Sequence, residues 1–216
     1  MDEITILTGD ARTLIRDIPD ESVDMIFTDP PYSKEYLPLY EWLAIAAERV
    51  LKPTGFVLVY AGGYHKAQIM GYLDRCLDYF WDYIELHSHQ TSVIYPRRTL
   101  ARYKSILAYR RKGHNALPVI GNVLGAFEII SGNEKRYHPW GQSEKTARYL
   151  IECFTRPGDL VLDPFVGGGT TPFVCSRIGR RFVGFEIDPE AAEVARSRIA
   201  GWRPFPVQLS FLEGLA

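Results

Sequence analysis

Leu160-Val161-Leu162-Asp163-Pro164-Phe165-Val166-Gly167-Gly168-Gly169-Thr170-Thr171 decides the fold, because an apolar strand ends in a carboxylate and a glycine-rich turn then opens onto a helix. The glycines let the backbone approach a ligand closely, and the helix N-terminus beyond them offers free N–H groups. The turn lacks the lysine of a phosphate-binding loop, and its spacing is not GxGxxG. The next strand candidate, from Arg181, ends in Gly184-Phe185-Glu186, about 20 residues after the glycines. An acid at that place suits the two hydroxyls of a ribose, so the pair points to a nucleoside-containing cofactor.

The same alternation extends outward along the chain. Ile4 to Thr8 has the β-branched content of a buried strand and stops at Gly9-Asp10, before a short helix containing Leu14 and Ile15. The segment Asp24 to Thr28 is a strand, and Leu39, Trp42, Leu43, Ala46 and Val50 fall at spacings of a one-faced helix. Lys52-Pro53-Thr54-Gly55 ends that helix, and Phe56 to Tyr60 is a continuous apolar strand. A helix presenting Ile69, Tyr72, Leu73, Cys76 and Leu77 follows, then strands at Trp81–His87 and Ser105–Tyr109. Ser143 caps a helix reaching about Phe154, Thr170 to Ile178 is helical, and Pro189 opens a helix through Ala200. Helices alternating with apolar strands predict a three-layer α/β sandwich with a mostly parallel sheet. Four strands deliver an acid, Asp10, Asp29, Asp163 and Glu186, and a shared ligand site explains their convergence better than four separate turns.

Thr28-Asp29-Pro30-Pro31-Tyr32 is the second informative stretch. Neither proline has an N–H, so the strand ends in a stiff rim of acceptors. A carboxylate and a carbonyl can together accept both protons of an amino group, and Tyr32 offers a flat face for a planar ring. Taken alone, the stretch also reads as a Pro-Pro turn with a solvated aspartate.

With 216 residues, 46% hydrophobic and 24% charged, the chain reads as one globular domain. No stretch approaches the roughly 20 apolar residues of a membrane span, the acidic start is not that of a signal peptide, and a cytoplasmic protein is expected. Cys76, Cys153 and Cys175 are widely spaced without a CxxC pair, which argues against disulfides and against a metal site. The net charge of −1 carries no global basic signature. Locally, Arg97, Arg98, Arg102, Lys104, Arg110, Arg111 and Lys112 form a run without an acid, with Tyr95, Tyr103 and Tyr109 interleaved. That run reads as a phosphate-contacting patch or as a solvated strand face.

Asp163-x-Phe165-x-Gly167-x-Gly169 followed by Glu186 resembles the S-adenosylmethionine motif of class I methyltransferases, and Asp29-Pro30-Pro31-Tyr32 resembles the catalytic motif of nucleic-acid amino-methyltransferases. Because the catalytic motif comes first, the order is similar to that of the beta group of DNA adenine-N6 and cytosine-N4 methyltransferases. Gly9-Asp10, Ile18 to Asp24, Leu51 to Gly55 and His138-Pro139 before Gln142 also match that group. The resemblance implies a circularly permuted, seven-stranded Rossmann-like sheet with S-adenosylmethionine as cofactor and DNA as partner. It further implies catalysis at Asp29, Pro30, Pro31 and Tyr32, and cofactor contacts from Asp10, His138, Gln142, Asp163, Pro164, Phe165, Gly167, Gly168, Gly169, Thr170 and Glu186. The chain departs from the usual His-Pro-x-Gln by one residue, His138-Pro139-Trp140-Gly141-Gln142, so His138 also reads as a packing residue before a helix.

Adenine N6 is the expected target, since cytosine-N4 relatives more often carry serine in place of Asp29. RNA or protein-amide methylation, a silent cofactor-binding subunit and a nicotinamide oxidoreductase are the competing readings. The first relatives usually have Asn-Pro-Pro and the unpermuted order, intact Asp29 and Tyr32 speak against the second, and the third requires GxGxxG. Phosphate contacts are expected from Arg97, Arg98, Arg102 and Lys104. Target recognition is assigned to residues 88–103 and 112–136, which are short, so a short or relaxed target sequence, a homodimer or a specificity partner is inferred.

Overall fold

The computed structural model describes residues 4–87, 92–94, 97–129 and 143–201. Among these described residues, ten strands and six α-helices follow in order: β1 (Ile4–Thr8), α1 (Ala11–Leu14), β2 (Val23–Thr28), α2 (Pro38–Val50), β3 (Leu51–Ala61), α3 (Lys66–Leu73), β4 (Leu77–His87), β5 (Ser92–Ile94), β6 (Thr99–Ala101), β7 (Tyr103–Arg111), β8 (Ala126–Ile129), α4 (Glu144–Phe154), β9 (Leu160–Asp163), α5 (Thr170–Arg177), β10 (Arg181–Glu186) and α6 (Pro189–Ala200).

The main sheet runs β1-β10-β9-β2-β3-β7-β4-β8, while β5 and β6 form a separate antiparallel hairpin. Five of its seven pairings are parallel, and β7 runs against both β3 and β4. The expected seven strands are present, and β8 adds an eighth at the edge beside β4. Two cores separate the layers. On one face the alternate residues Ile26, Val57 and Val59 meet α2 and α3 through Leu43, Ala47 and Ile69. On the other, Phe27, Leu58 and Tyr60 meet α4, α5 and α6 through Leu150, Val174 and Ala195. The period-2 alternation of side chains thus feeds both layers, and each fully buried large apolar side chain stabilises the fold by about 1.5–3 kcal/mol.

Two boundaries differ from expectation. Strand β3 starts at Leu51, because the Lys52–Gly55 stretch continues extended beside β2 with a register irregularity between Val23 and Met25. Helix α3 stops at Leu73, and Leu77 reaches the same core from the first residue of β4, so a helical spacing is satisfied by a helix and then a strand. The caps agree with the sequence: the Ser143 hydroxyl accepts from the Thr146 N–H at 3.2 Å, and Pro189 occupies the first turn of α6 behind the Asp188 cap.

Candidate active site

Parallel strands β1, β10, β9, β2 and β3 bring their carboxyl ends to one edge of the sheet, where ligands bind in open α/β folds. Asp29 follows β2 directly, and Asp163 ends β9 beside it. The two motifs are joined by a buried hydrogen bond in which the Thr28 hydroxyl donates to Asp163 Oδ1 at 2.7 Å. The same oxygen accepts from the Phe165 N–H at 3.0 Å, and Oδ2 accepts from the Thr171 hydroxyl at 2.7 Å. Asp163 therefore fastens the start of the glycine turn to both the neighbouring strand and α5. Phe165 leaves the turn towards α2, where its ring meets Trp42 edge-on with centroids 6.1 Å apart.

The turn's remaining contacts also come from the backbone. Glu186 Oε2 accepts from the Gly167 N–H at 2.7 Å and Oε1 from the Asp188 N–H at 2.9 Å. Gly169, with φ +79°, caps α5, and a Cβ there would lie 2.8 Å from the Cα and Cβ of Ala195 on α6. Behind the turn, Arg198 donates to the Gly168 carbonyl at 2.9 Å and to the Thr170 hydroxyl at 3.3 Å while pairing with Glu144. Asp10 lies past the end of β1, next to β10, and caps α1 through the Arg12 N–H at 2.8 Å. The Arg12 guanidinium, also bonded to it, holds its carboxyl below the usual range.

These residue types fit a phosphate-free nucleoside cofactor. Acidic acceptors at the ends of β1 and β10 suit hydroxyl and amine donors, a Cβ at Gly167 would meet nothing within 4 Å, and no cation stands within Asp163–Thr171. His138 and Gln142 lie outside the described residues.

On the Asp29 side, the Tyr32 hydroxyl donates to Asp29 Oδ1, and Lys104 Nζ stands 3.7 Å from Oδ2. A Cβ at Gly62, just past β3, would come within 3.0 Å of Tyr32 Cβ and Cγ, so the missing side chain makes room for this tyrosine. Burial, then the Asp29 charge, pushes the Tyr32 phenol well above its ordinary value. Tyr32 is therefore a proton donor in this contact, which leaves Asp29 as the acceptor.

The basic run is divided by β7. Ser105 pairs with Ala61 at the carboxyl end of β3, whereas Arg110 pairs with Phe56 near the other edge. Arg111 binds Glu21 and the Leu51 carbonyl, and Lys112 binds the Arg75 carbonyl, far from Asp29. Arg97, Arg98, Arg102 and Lys104 remain on the site's side of the strand. Arg97 and Arg98 are exposed at the tip of the β5–β6 hairpin, with the Arg97 guanidinium 5.1 Å from the ring centroid of Tyr64, and Arg102 donates to the His87 carbonyl at 3.4 Å.

The chain resembles known proteins both in sequence and in fold. A family model described as DNA methylase, of the N6/N4 methyltransferase type, matches residues 119–197. The type II methyltransferase M.HinfI of Haemophilus influenzae is 26% identical over an alignment spanning 96% of this chain and 71% of that protein. The crystal structure of an M1.HpyAVI–SAM complex superposes with a TM-score of 0.75 at 27% identity, covering 91% of this chain and 98% of that one. The chain is similar to the N6/N4 DNA methylases. The PvuII DNA methyltransferase, cytosine-N4-specific, shares the fold with a TM-score of 0.77 at 19% identity, over 91% of this chain and 88% of that one. Among the described residues no helix is long and apolar enough to cross a membrane, and no cluster of His, Cys, Asp and Glu could hold a metal ion.

Asp163 carries a measurable consequence of its burial. Desolvation pushes its carboxyl up to about 6, against three hydrogen bonds that pull it down. The folded chain thus binds this proton more tightly than the unfolded chain, so stability from this group is fully present below about pH 4 and is lost as pH rises through about 6. The swing is on the order of 3 kcal/mol. Urea unfolding of the wild type and of Asp163→Asn at pH 4.5 and 7.5 is expected to show a larger loss at the higher pH in the wild type, and parallel pH dependences would contradict it.

Sequence reading did not single out Thr28 and Thr171 as anchors, nor Arg198 as the brace behind the glycines. The two threonines sit inside the quoted motifs and were legible as hydroxyls flanking a carboxylate. Arg198 lies 30 positions from Gly168, and only the packing of α6 brings them together.

Proposed function

We propose that this chain transfers the methyl group of S-adenosylmethionine to the exocyclic amine of a base flipped out of DNA, with adenine N6 as the target. The reading is carried by the Thr28–Asp163 hydrogen bond, which ties the Asp29-Pro30-Pro31-Tyr32 rim to the glycine turn suited to the cofactor. When bound, the cofactor supplies an electrophilic methyl group. The chain's own residues do the rest. Asp29 and the Pro30 carbonyl accept the two amine protons, which turns the nitrogen lone pair away from the ring and towards the methyl donor. Asp29 then takes the proton released by the methylated nitrogen. Tyr32 stacks on the flipped base while its hydroxyl holds Asp29 Oδ1.

Aspartate at position 29 supports adenine over cytosine. The domain is read as catalytic throughout, with target recognition in residues 88–103 and 112–136. The β5–β6 hairpin and β8 fall inside those segments, and the remainder lies partly outside the described residues. Their shortness supports a homodimer or a specificity partner. Tritium transfer from S-adenosylmethionine into unmethylated genomic DNA, against total RNA, tests the substrate: label in RNA alone overturns the reading.

DNA contact falls to Arg97, Arg98 and Arg102, since a two-stranded ribbon fits a major groove and its tip is basic. Neutralising Arg97 and Arg98 together is expected to weaken DNA binding at low salt and to reduce the log–log salt slope by about one for each arginine. Fluorescence anisotropy against rising salt measures this, and an unchanged slope would move the contact elsewhere.

A further inference from the structure

Lys104 is a cation placed against two carboxylates. Its Nζ stands 3.7 Å from Asp29 Oδ2 and 5.4 Å from the ring centroid of Tyr60. The register of β7 against β4 sets Lys104 directly opposite Glu85, so both side chains point to the same face. Glu85 is 1% exposed, and its Oε2 accepts from the Tyr60 hydroxyl at 2.8 Å. His87 Nε2 lies 3.5 Å from Glu85 Oε1.

Several groups face this cluster from every surrounding element. Tyr32 comes from the loop after β2, Tyr40 from α2, Tyr60 from β3, Glu85 and His87 from β4, and Asp163 from β9. Burial pushes the three phenols up, so they stay neutral donors. Burial pushes the Glu85 and Asp163 carboxyls up, and the Asp29 charge adds to both, so Asp29 and each of these buried acids resist one another's ionisation. An Asp29 carrying a proton would present a donor where an acceptor is required.

We propose that Lys104 is a positioning residue that keeps Asp29 ionised and its Oδ2 oriented, offsetting the charge of the buried Glu85. The proposal goes deeper into the proposed methyl transfer and rests on it for its catalytic consequence. Tyr32 fixes one oxygen of Asp29 and Lys104 the other.

The test uses full-length protein with 13C-labelled aspartate carboxyls, the Asp29 resonance being assigned by its loss in Asp29→Asn, together with single-turnover methylation from pH 5 to 9. Lys104→Met and Lys104→Gln are expected to raise the Asp29 midpoint by about one pH unit. The acid limb of the rate is expected to follow. Lys104→Arg restores both, and adding Glu85→Gln to Lys104→Met brings the midpoint back towards wild type. An unmoved midpoint in both neutral variants overturns the assignment, and a moved midpoint with an unmoved rate profile overturns its catalytic role. A wild type that transfers no methyl group to DNA sinks the functional reading instead, while the carboxyl titration still decides the role of Lys104.

Discussion

Asp29→Ala is expected to reduce methyl transfer by about a thousandfold or more while S-adenosylmethionine binding stays within a few-fold of wild type. Removing a single preorganised partner of a reacting group typically costs 100- to 1,000-fold in rate, and in the proposed reaction Asp29 both receives the amine hydrogen bond and removes the proton. The cofactor turn, by contrast, is held by hydrogen bonds to Asp163, Glu186 and Arg198, none of which is made with Asp29. Tyr32 would lose its acceptor, adding disorder to the stacking face. Burst-phase methylation and calorimetric cofactor binding measure the two halves separately. Loss of both in proportion would mean that Asp29 shapes the cofactor site rather than the reaction.

Gly169→Ala should have the largest effect on the cofactor side. The position has φ +79°, which costs an L-residue roughly 1–2 kcal/mol. Its Cβ would also meet the Ala195 backbone at 2.8 Å, and backbone cannot swing aside as a flexible side chain can. The turn or α6 must shift, and α6 carries the Arg198 brace on Gly168 and Thr170. The thermal midpoint is expected to fall by roughly 5–10 °C, at about 2–4 °C per kcal/mol for a chain of this size, and cofactor affinity by at least about tenfold, equivalent to 1.4 kcal/mol. Differential scanning fluorimetry with and without S-adenosylmethionine reads both. A variant melting and binding like wild type would show that this glycine is not needed for the close approach of the two helices.

The architecture was legible because its signals are local. The spacings of Leu39, Leu43 and Val50, the apolar run Phe56–Tyr60 and the glycines after Asp163 each name their own element without reference to distant residues. The edge carrying Asp10, Asp29, Asp163 and Glu186 followed from counting strands that end in acids. What could not be read depends on register and on packing between distant segments. Lys104 belonged to a basic run in the sequence, yet β7 carries Arg110 and Arg111, with Lys112 just beyond them, to the end of the strand away from the site and leaves Lys104 facing Asp29. Glu85 gave a local hint, an acid in the same phase as the buried Tyr83, but its pairing with Lys104 needs the β4–β7 register. Strand β8 has only a short apolar stretch in the sequence, and four residues without a cap or a period do not distinguish a strand from a loop.

Nucleoside mass spectrometry of DNA from a host lacking its own methylases, expressing either the wild type or Asp29→Ala, tests the central assignment most directly. N6-methyldeoxyadenosine in the wild-type sample and none in the variant is the predicted result. N4-methyldeoxycytidine would keep the chemistry and change the base, whereas DNA without a methylated amine beside methylated RNA would contradict the account.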